Sequence, residues 1–132
     1  MSERKPRFCV MGAGHGGTAM AAHLAPMGFD VTLYNRSPGR LEPIAERGGI
    51  ELTAPDVNWI APGEGELRRV TTDPGEALGE SDLVMVVVPA TAHRFLATQC
   101  APHLRDDHVV ILHPGRTGGA IEFRQVLRES GC

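Results

Sequence analysis

Cysteine is scarce in this chain: Cys9, Cys100 and Cys132 are the only three in 132 residues, far apart and without a Cys-x-x-Cys pair. An odd, dispersed set offers neither a disulfide framework nor a zinc cluster, and it suits a reducing, cytoplasmic setting. Long apolar runs are missing too. None approaches the roughly 18 residues a membrane-spanning helix needs, so no membrane partner is expected. The charged opening from Met1 to Arg7 runs at once into a short strand-like segment, unlike a signal peptide. Basic charge is in deficit, with thirteen Lys and Arg against sixteen Asp and Glu and a formal net charge of −3. That balance argues against coating a nucleic acid. Internal repeats, low-complexity tracts and interdomain linkers are also absent.

What is present is an ordinary globular composition, 42% hydrophobic and 22% charged, punctuated by 16 glycines and 10 prolines. One domain with many short elements follows. Phe8-Cys9-Val10-Met11 has the length of a strand and ends in glycines. A helix is expected from His15 to Met27, with Met20, Leu24 and Met27 on one face and Gly28 as its stop. Val31 to Tyr34 reads as a second strand. Pro38 to Arg47 reads as a second helix, N-capped by Ser37 and ended by Gly48-Gly49. Ile50 to Leu52 is a short strand candidate, and Thr53 to Glu66, rich in Pro and Gly around Trp59, a loop or small hairpin. Leu67 to Thr71 is a third strand candidate, and Asp73-Pro74 opens a short helix limited by Gly79.

The second half is sharper. Leu83 to Val88 is six consecutive apolar residues, the pattern of a strand buried on both faces. Thr91 to Leu104 follows as a helix interrupted late by Pro102, then Val109 to Leu112 as another apolar strand. A last helix is expected from Ala120 to Glu129, with Phe123, Val126 and Leu127 on one face and Gly131 closing it. Alternating strands and helices, with continuously apolar strands, imply an α/β fold: a doubly wound parallel sheet of Rossmann type, strand order 3-2-1-4-5.

The chemically informative segment follows the first strand: Gly12-Ala13-Gly14-His15-Gly16-Gly17, a G-x-G-x-x-G turn between a strand and a helix. Gly12 allows the tight turn, Gly14 lets a pyrophosphate approach the backbone, and Gly17 lets the helix pack near the strand. Free N–H groups and the positive dipole end of the helix then face the phosphates. His15, inside the turn, either donates to a phosphate oxygen or points to solvent. At the end of the second strand NAD enzymes place Asp or Glu for the ribose 2′-hydroxyl. This chain has Asn35, then Arg36, Ser37 and, one turn on, Arg40. Without a carboxylate, and with guanidinium, amide and hydroxyl groups, the site favours the 2′-phosphate of NADP(H), with NAD(H) as the lesser alternative. Arg36 could instead stack on the adenine or be solvated.

These motifs, together with Val86-Val87-Val88-Pro89-Ala90 followed by His93 and with Pro114-Gly115-Arg116-Thr117-Gly118-Gly119-Ala120, resemble the N-terminal domain of the octopine/nopaline (opine) dehydrogenases. The likeness runs from about Phe8 to the end of the chain. The first two motifs are shared with glycerol-3-phosphate dehydrogenases and ketopantoate reductases, and the Pro-Gly-Arg-Thr-Gly-Gly-Ala segment is the more particular. The resemblance implies NAD(P)H-dependent reductive joining of an amino acid and an α-keto acid through an imine. It also implies a following helical domain that carries the acid/base histidine. Residues 1–132 are therefore expected to be the dinucleotide-binding domain, stopping before the sixth strand with the helical domain absent. Such a chain binds nucleotide, has no identifiable catalytic residue and turns over little alone.

The remaining groups divide by position. Ligands in open α/β sheets lie outside the carboxyl ends of the strands, so Val88, Pro89, Ala90 and His93 are expected along the cofactor. Arg116, beside His113 after the next strand, is a candidate anchor for a substrate carboxylate. His103 and His108 lack a third ligand, so no metal site is expected. Ser37, Ser81 and Ser130 lack a nucleophile-elbow setting. The last strand, left without a sixth, is expected to be an apolar edge that pairs two copies of the chain. Three other readings remain: the cofactor domain of a glycerol-3-phosphate dehydrogenase or ketopantoate reductase-like enzyme, a nucleotide-sensing module without catalysis, and a methyltransferase. The missing carboxylate after the second strand disfavours the last two.

Overall fold

Short β-branched and apolar segments assemble into one five-stranded parallel sheet. The computed structural model describes residues 5–47, 49–52, 63–113 and 118–132. In chain order the elements are β1 (Phe8–Met11), α1 (His15–Leu24), β2 (Val31–Tyr34), α2 (Glu42–Arg47), β3 (Gly49–Leu52), β4 (Gly63–Glu66), β5 (Arg69–Thr71), α3 (Pro74–Gly79), β6 (Leu83–Val86), α4 (His93–Cys100), β7 (Val109–Leu112) and α5 (Gly119–Glu129). The large sheet runs β5-β2-β1-β6-β7, and each pairing is parallel. With the large-sheet strands counted in chain order this is 3-2-1-4-5, the order expected from the sequence. β3 and β4 form a separate antiparallel pair in which Gly49 faces Glu66 and Leu52 faces Gly63. The sequence allows a loop or small hairpin over Thr53 to Glu66; Gly63–Glu66 instead pairs with Gly49–Leu52, which holds the short strand candidate Ile50 to Leu52, and Trp59 lies outside the described residues.

Alternation along the strands divides the core into two layers. Val10, Val31 and Leu33 pack with Ala21, Ala22 and Ala25 of α1 and its flank. Cys9, Met11, Tyr34, Val84 and Val86 face the other way, against Leu78, Leu96, Phe123 and Val126 from α3, α4 and α5. Helices on both faces make the sheet doubly wound, as a parallel sheet requires.

Several elements differ in extent from the sequence expectation. α1 ends at Leu24, and its buried seam is Gly17, Ala21 and Ala22. Met20 and Leu24 are only partly buried, and Met27 is 56% exposed. The reason is a close helix–strand approach: a Cβ on Gly17 would run into the carbonyl of Gly12, so only small residues fit the inner face. The segment after β2 is a 3₁₀ turn, Pro38–Arg40, followed by the six-residue α2. Ser37 has the extended backbone of an N-cap but makes no capping bond with its side chain. β6 stops at Val86, although the Val87 N–H still donates to the Met11 carbonyl at 2.9 Å. Its burial alternates, with Met85 only partly covered. α4 is shorter than anticipated, preceded by a 3₁₀ turn at Ala90–Ala92 and ended before Pro102. β7 has one paired neighbour among the described residues, and its Val109 and Ile111 are 52% and 39% exposed. α3 begins as expected, with Asp73 accepting from the Gly75 N–H at 2.8 Å and Pro74 in the first turn.

Candidate functional site

The carboxyl ends of β1, β2 and β6 meet at the glycine-rich turn, whose shape follows from its first residue. Gly12 has φ +119°, a conformation that L side chains rarely adopt, and its N–H donates to the Tyr34 carbonyl at 2.8 Å. A Cβ there would strike the Val87 carbonyl and lie 2.9 Å from Val88 Cγ1. Ala13 is buried, and its N–H donates to Asn35 Oδ1 at 3.0 Å. The Thr18 hydroxyl donates to the Ala13 carbonyl at 3.1 Å. The turn is therefore held from β2 on one side and from α1 on the other.

The accounting of N–H groups then identifies what remains for a ligand. Gly12 and Ala13 use theirs internally. Gly14 is the N-cap of α1, with extended backbone and no side-chain cap, and the first helical N–H groups, from His15 on, have no carbonyl partner within the helix. No carboxylate stands in the first turn to compete for them. A Cβ on Gly14 would meet nothing nearer than Arg40 Nη1, 4.0 Å away. The turn thus presents bare backbone and a positive dipole end to open space, with a guanidinium beside it.

That space is a cleft of ≈ 570 Å³. Gly14, His15 and Gly16 form one wall, and Val87 to Ala90 with His113 form the other. Six of the residues singled out from the sequence line it: Gly14, His15, Gly16, Val88, Pro89 and Ala90. His93 does not. It is 1% exposed, and its ring packs against the Gly119 position at the start of α5. With Leu96, Ala97 and Cys100 it shares the buried stripe of α4, at the three- and four-residue spacing of one helical face. Its Nε2 has no hydrogen-bond partner, and neither has that of His113. Arg116 and the rest of 114–117 lie outside the described residues.

Asn35 has a specific local role. Besides accepting from Ala13, its Nδ2 donates to the Ser37 carbonyl at 3.0 Å, and its backbone N–H donates to Thr71 at 3.2 Å. The side chain bridges the glycine turn and the loop after β2, and its amide is oriented by the protein itself. Arg36 is exposed, with its guanidinium carbon 4.5 Å from the centroid of the Phe95 ring on the outer face of α4. Phe95 and the bridging role of Asn35 were not anticipated. A signal for the first was available, because Phe95 falls off the His93–Leu96–Ala97–Cys100 stripe and so must face outward.

The other reactive groups are accounted for by structure. Burial pushes the Cys100 thiol up to about 12 and raises the Cys9 thiol as well. Cys100 Sγ contacts Met11 Sδ at 3.5 Å. His108 accepts from the Arg105 N–H through Nδ1 at 2.8 Å, while its Nε2 lies 3.0 Å from the Leu78 carbonyl. Both ring nitrogens are occupied, which fits the neutral Nε2–H form and a structural tie to the end of α3. Among the described residues no group of His, Cys, Asp or Glu could hold a metal ion, and no helix is long and apolar enough to cross a membrane.

A strand–glycine turn–helix at the centre of a 3-2-1-4-5 parallel sheet, opening onto a cleft at the strand ends, defines a Rossmann-type dinucleotide domain. The chain belongs to the family described as NAD-dependent glycerol-3-phosphate dehydrogenase N-terminus, whose model matches residues 7–115. The resemblance to opine dehydrogenases is also present: opine dehydrogenase from Arthrobacter sp. (strain 1C) is 37% identical over 125 residues, covering 95% of this chain and 34% of that protein. Glycerol-3-phosphate dehydrogenase [NAD(P)+] from Thioalkalivibrio sulfidiphilus (strain HL-EbGR7) is 36% identical over 107 residues, 81% of this chain and 31% of that one. In three dimensions the fold is shared with octopine dehydrogenase in a structure containing NADH and L-arginine, with a TM-score of 0.80 at 22% identity over 96% of this chain and 32% of that one. The chain spans about a third of the length of the curated relatives it matches.

Proposed function

We propose that the chain is the cofactor-binding part of an opine-type dehydrogenase and that it binds NADP(H) in preference to NAD(H). The observation that carries this reading is the glycine turn: its bare backbone faces a ≈ 570 Å³ cleft, beside a strand end with Arg36 and Arg40 and no carboxylate. The N–H groups of the first turn of α1 hold the pyrophosphate, Gly14 lets it approach, and Gly12 and Gly17 keep the turn against β1. Arg36 and Arg40 take the 2′-phosphate, supported by Ser37, and Asn35 keeps their loop attached to the turn. Val88, Pro89 and Ala90 form the opposite wall, along which the nicotinamide end runs, and His15 lies at the phosphate mouth. The bound nicotinamide supplies or accepts hydride. This chain's residues bind and orient it, and Arg116 anchors a substrate carboxylate. His93 has a packing role.

The substrate reading, an amino acid and an α-keto acid joined through an imine, rests on the likeness to opine dehydrogenase and on the Pro-Gly-Arg-Thr-Gly-Gly-Ala segment. No acid/base group is identified among these 132 residues, whose proposed part in the reaction is to bind and orient the cofactor. Free, unpaired cysteines suit a cytoplasmic setting. The half-exposed β7 edge pairs two copies of the chain, and a monodisperse monomer at high concentration in light scattering would contradict that.

The test is equilibrium titration with NADPH and NADH. Tighter NADPH binding is expected, and Arg36→Ala should weaken NADPH by about 1.5–3 kcal/mol, the value of a hydrogen bond to a charged group. Tighter NADH binding, or an Arg36→Ala variant that keeps full NADPH affinity, overturns the preference.

A further inference from the structure

Arg36 lies on an exposed loop, where a flexible arginine would sample many rotamers and lose entropy on gripping a ligand. It does not hang free here. Its guanidinium carbon is 4.5 Å from the centre of the Phe95 ring, within the range of a cation–π contact. Phe95 is an aromatic residue left 39% exposed on the outer face of α4. Packing does not account for that placement, because the inward stripe of α4 is His93, Leu96, Ala97 and Cys100. Among the described residues no carboxylate forms an ion pair with Arg36, and the contact seen for its guanidinium is the one with the ring. The loop backbone beneath is fixed separately by Asn35, which binds Ala13 and Ser37.

We propose that Phe95 is a positioning residue for phosphonucleotide selectivity: it holds the Arg36 guanidinium preformed at the end of β2, so that the 2′-phosphate meets an ordered fork. The inference rests on the NADP(H) reading above and adds the residue on α4 that enforces it. Phe95 contacts Arg36 and is not among the residues lining the cleft at the glycine turn. Its removal therefore acts on the phosphate that distinguishes the two cofactors and spares what they share.

The experiment measures dissociation constants of NADPH and NADH for the full chain and for Phe95→Ala, Phe95→Trp, Arg36→Ala and the double variant, with thermal melting as a check on folding. Phe95→Ala should weaken NADPH about fivefold, the upper end for an exposed cation–π contact, and leave NADH within about twofold. Phe95→Trp, which keeps an aromatic face, should restore NADPH affinity. In the Arg36→Ala background the Phe95→Ala change should have no further effect on NADPH. Raised salt should reduce the NADPH preference of the parent chain. Equal weakening of both nucleotides assigns Phe95 a general structural role and overturns the proposal. Unchanged or tighter NADPH binding by Phe95→Ala also overturns it, the second result meaning that the stacked arrangement competes with the ligand. If Arg36→Ala lowers NADPH affinity and Phe95→Ala does not, the inference fails while the cofactor reading stands. If the parent chain shows no preference for NADPH, both fail.

Discussion

Replacing Gly17 with alanine sets two effects against each other in one methyl group. Alanine is the better helix former by about 1 kcal/mol in a helix interior, so propensity alone predicts a stabilised α1. The structure predicts the opposite. The new Cβ would overlap the Gly12 carbonyl oxygen and come within 2.8 Å of its carbon, and a backbone oxygen cannot rotate aside. α1 must move off β1, at a cost of about 1–3 kcal/mol for overpacking and more where backbone is displaced. The net expectation is a loss of about 1–2 kcal/mol, or ~4–8 °C in Tm for a domain of this size. Gly14→Ala is the matched control. Its extended backbone suits alanine, and the added Cβ meets only Arg40 Nη1 at 4.0 Å. The entropy gained from the unfolded state roughly offsets the poorer N-cap, so stability should stay within about 0.5 kcal/mol. Nucleotide affinity should nevertheless fall about tenfold or more, because the methyl projects into the cleft. Thermal melts with and without NADPH read both quantities. A Gly17→Ala chain as stable as the parent would refute the close-approach argument, and unchanged NADPH binding by Gly14→Ala would refute the placement of the phosphates.

Other expectations follow from the same geometry. Asn35→Ala leaves the buried Ala13 N–H without its acceptor and should cost about 1–3 kcal/mol in urea denaturation; a loss below about 0.5 kcal/mol would show that the bridge is dispensable. Of the three thiols only Cys132 is exposed, so a thiol reagent at neutral pH should label one cysteine quickly in the native chain and all three in denaturant, whereas rapid native labelling of Cys100 would contradict its burial. The Arg68 guanidinium, bonded to Glu80 at 3.0 Å, holds that carboxyl below its ordinary value. The associated stability is present above the unfolded carboxylate range and lost as pH falls through the lowered folded value. Being exposed, the pair contributes little, and Arg68→Ala should only slightly flatten the acid side of a stability–pH curve.

Much of this architecture was legible because several signals agreed at the same places. The apolar strands, Gly12 at the turn and the Asp73-Pro74 helix start each reflect a local rule, and the α/β alternation left one sheet order that places the glycine turn centrally. What was not legible depended on tertiary distance. Periodicity favoured the large residues Met20, Leu24 and Met27 as the inner face of α1, whereas the close approach at Gly17 selects alanines instead. His93 suggested a ligand contact by its chemistry, but its spacing from Ala97 and Cys100 places it inside. The role of Asn35 needed the geometry of Ala13, two elements earlier, and Phe95 mattered only once Arg36 was seen above it. A continuous apolar run suggested that β6 was buried on both faces, yet its burial alternates and Met85 is only partly covered.

The central claim is that the backbone from Gly14 into α1 holds the paired phosphates of a nicotinamide dinucleotide. Titration calorimetry of the chain with NADPH, NADH and S-adenosylmethionine tests it most directly. The account predicts saturable heat with one NADPH per chain, weaker binding of NADH, and none of S-adenosylmethionine. No heat with either nicotinamide nucleotide at large molar excess, or tighter binding of S-adenosylmethionine, would contradict it.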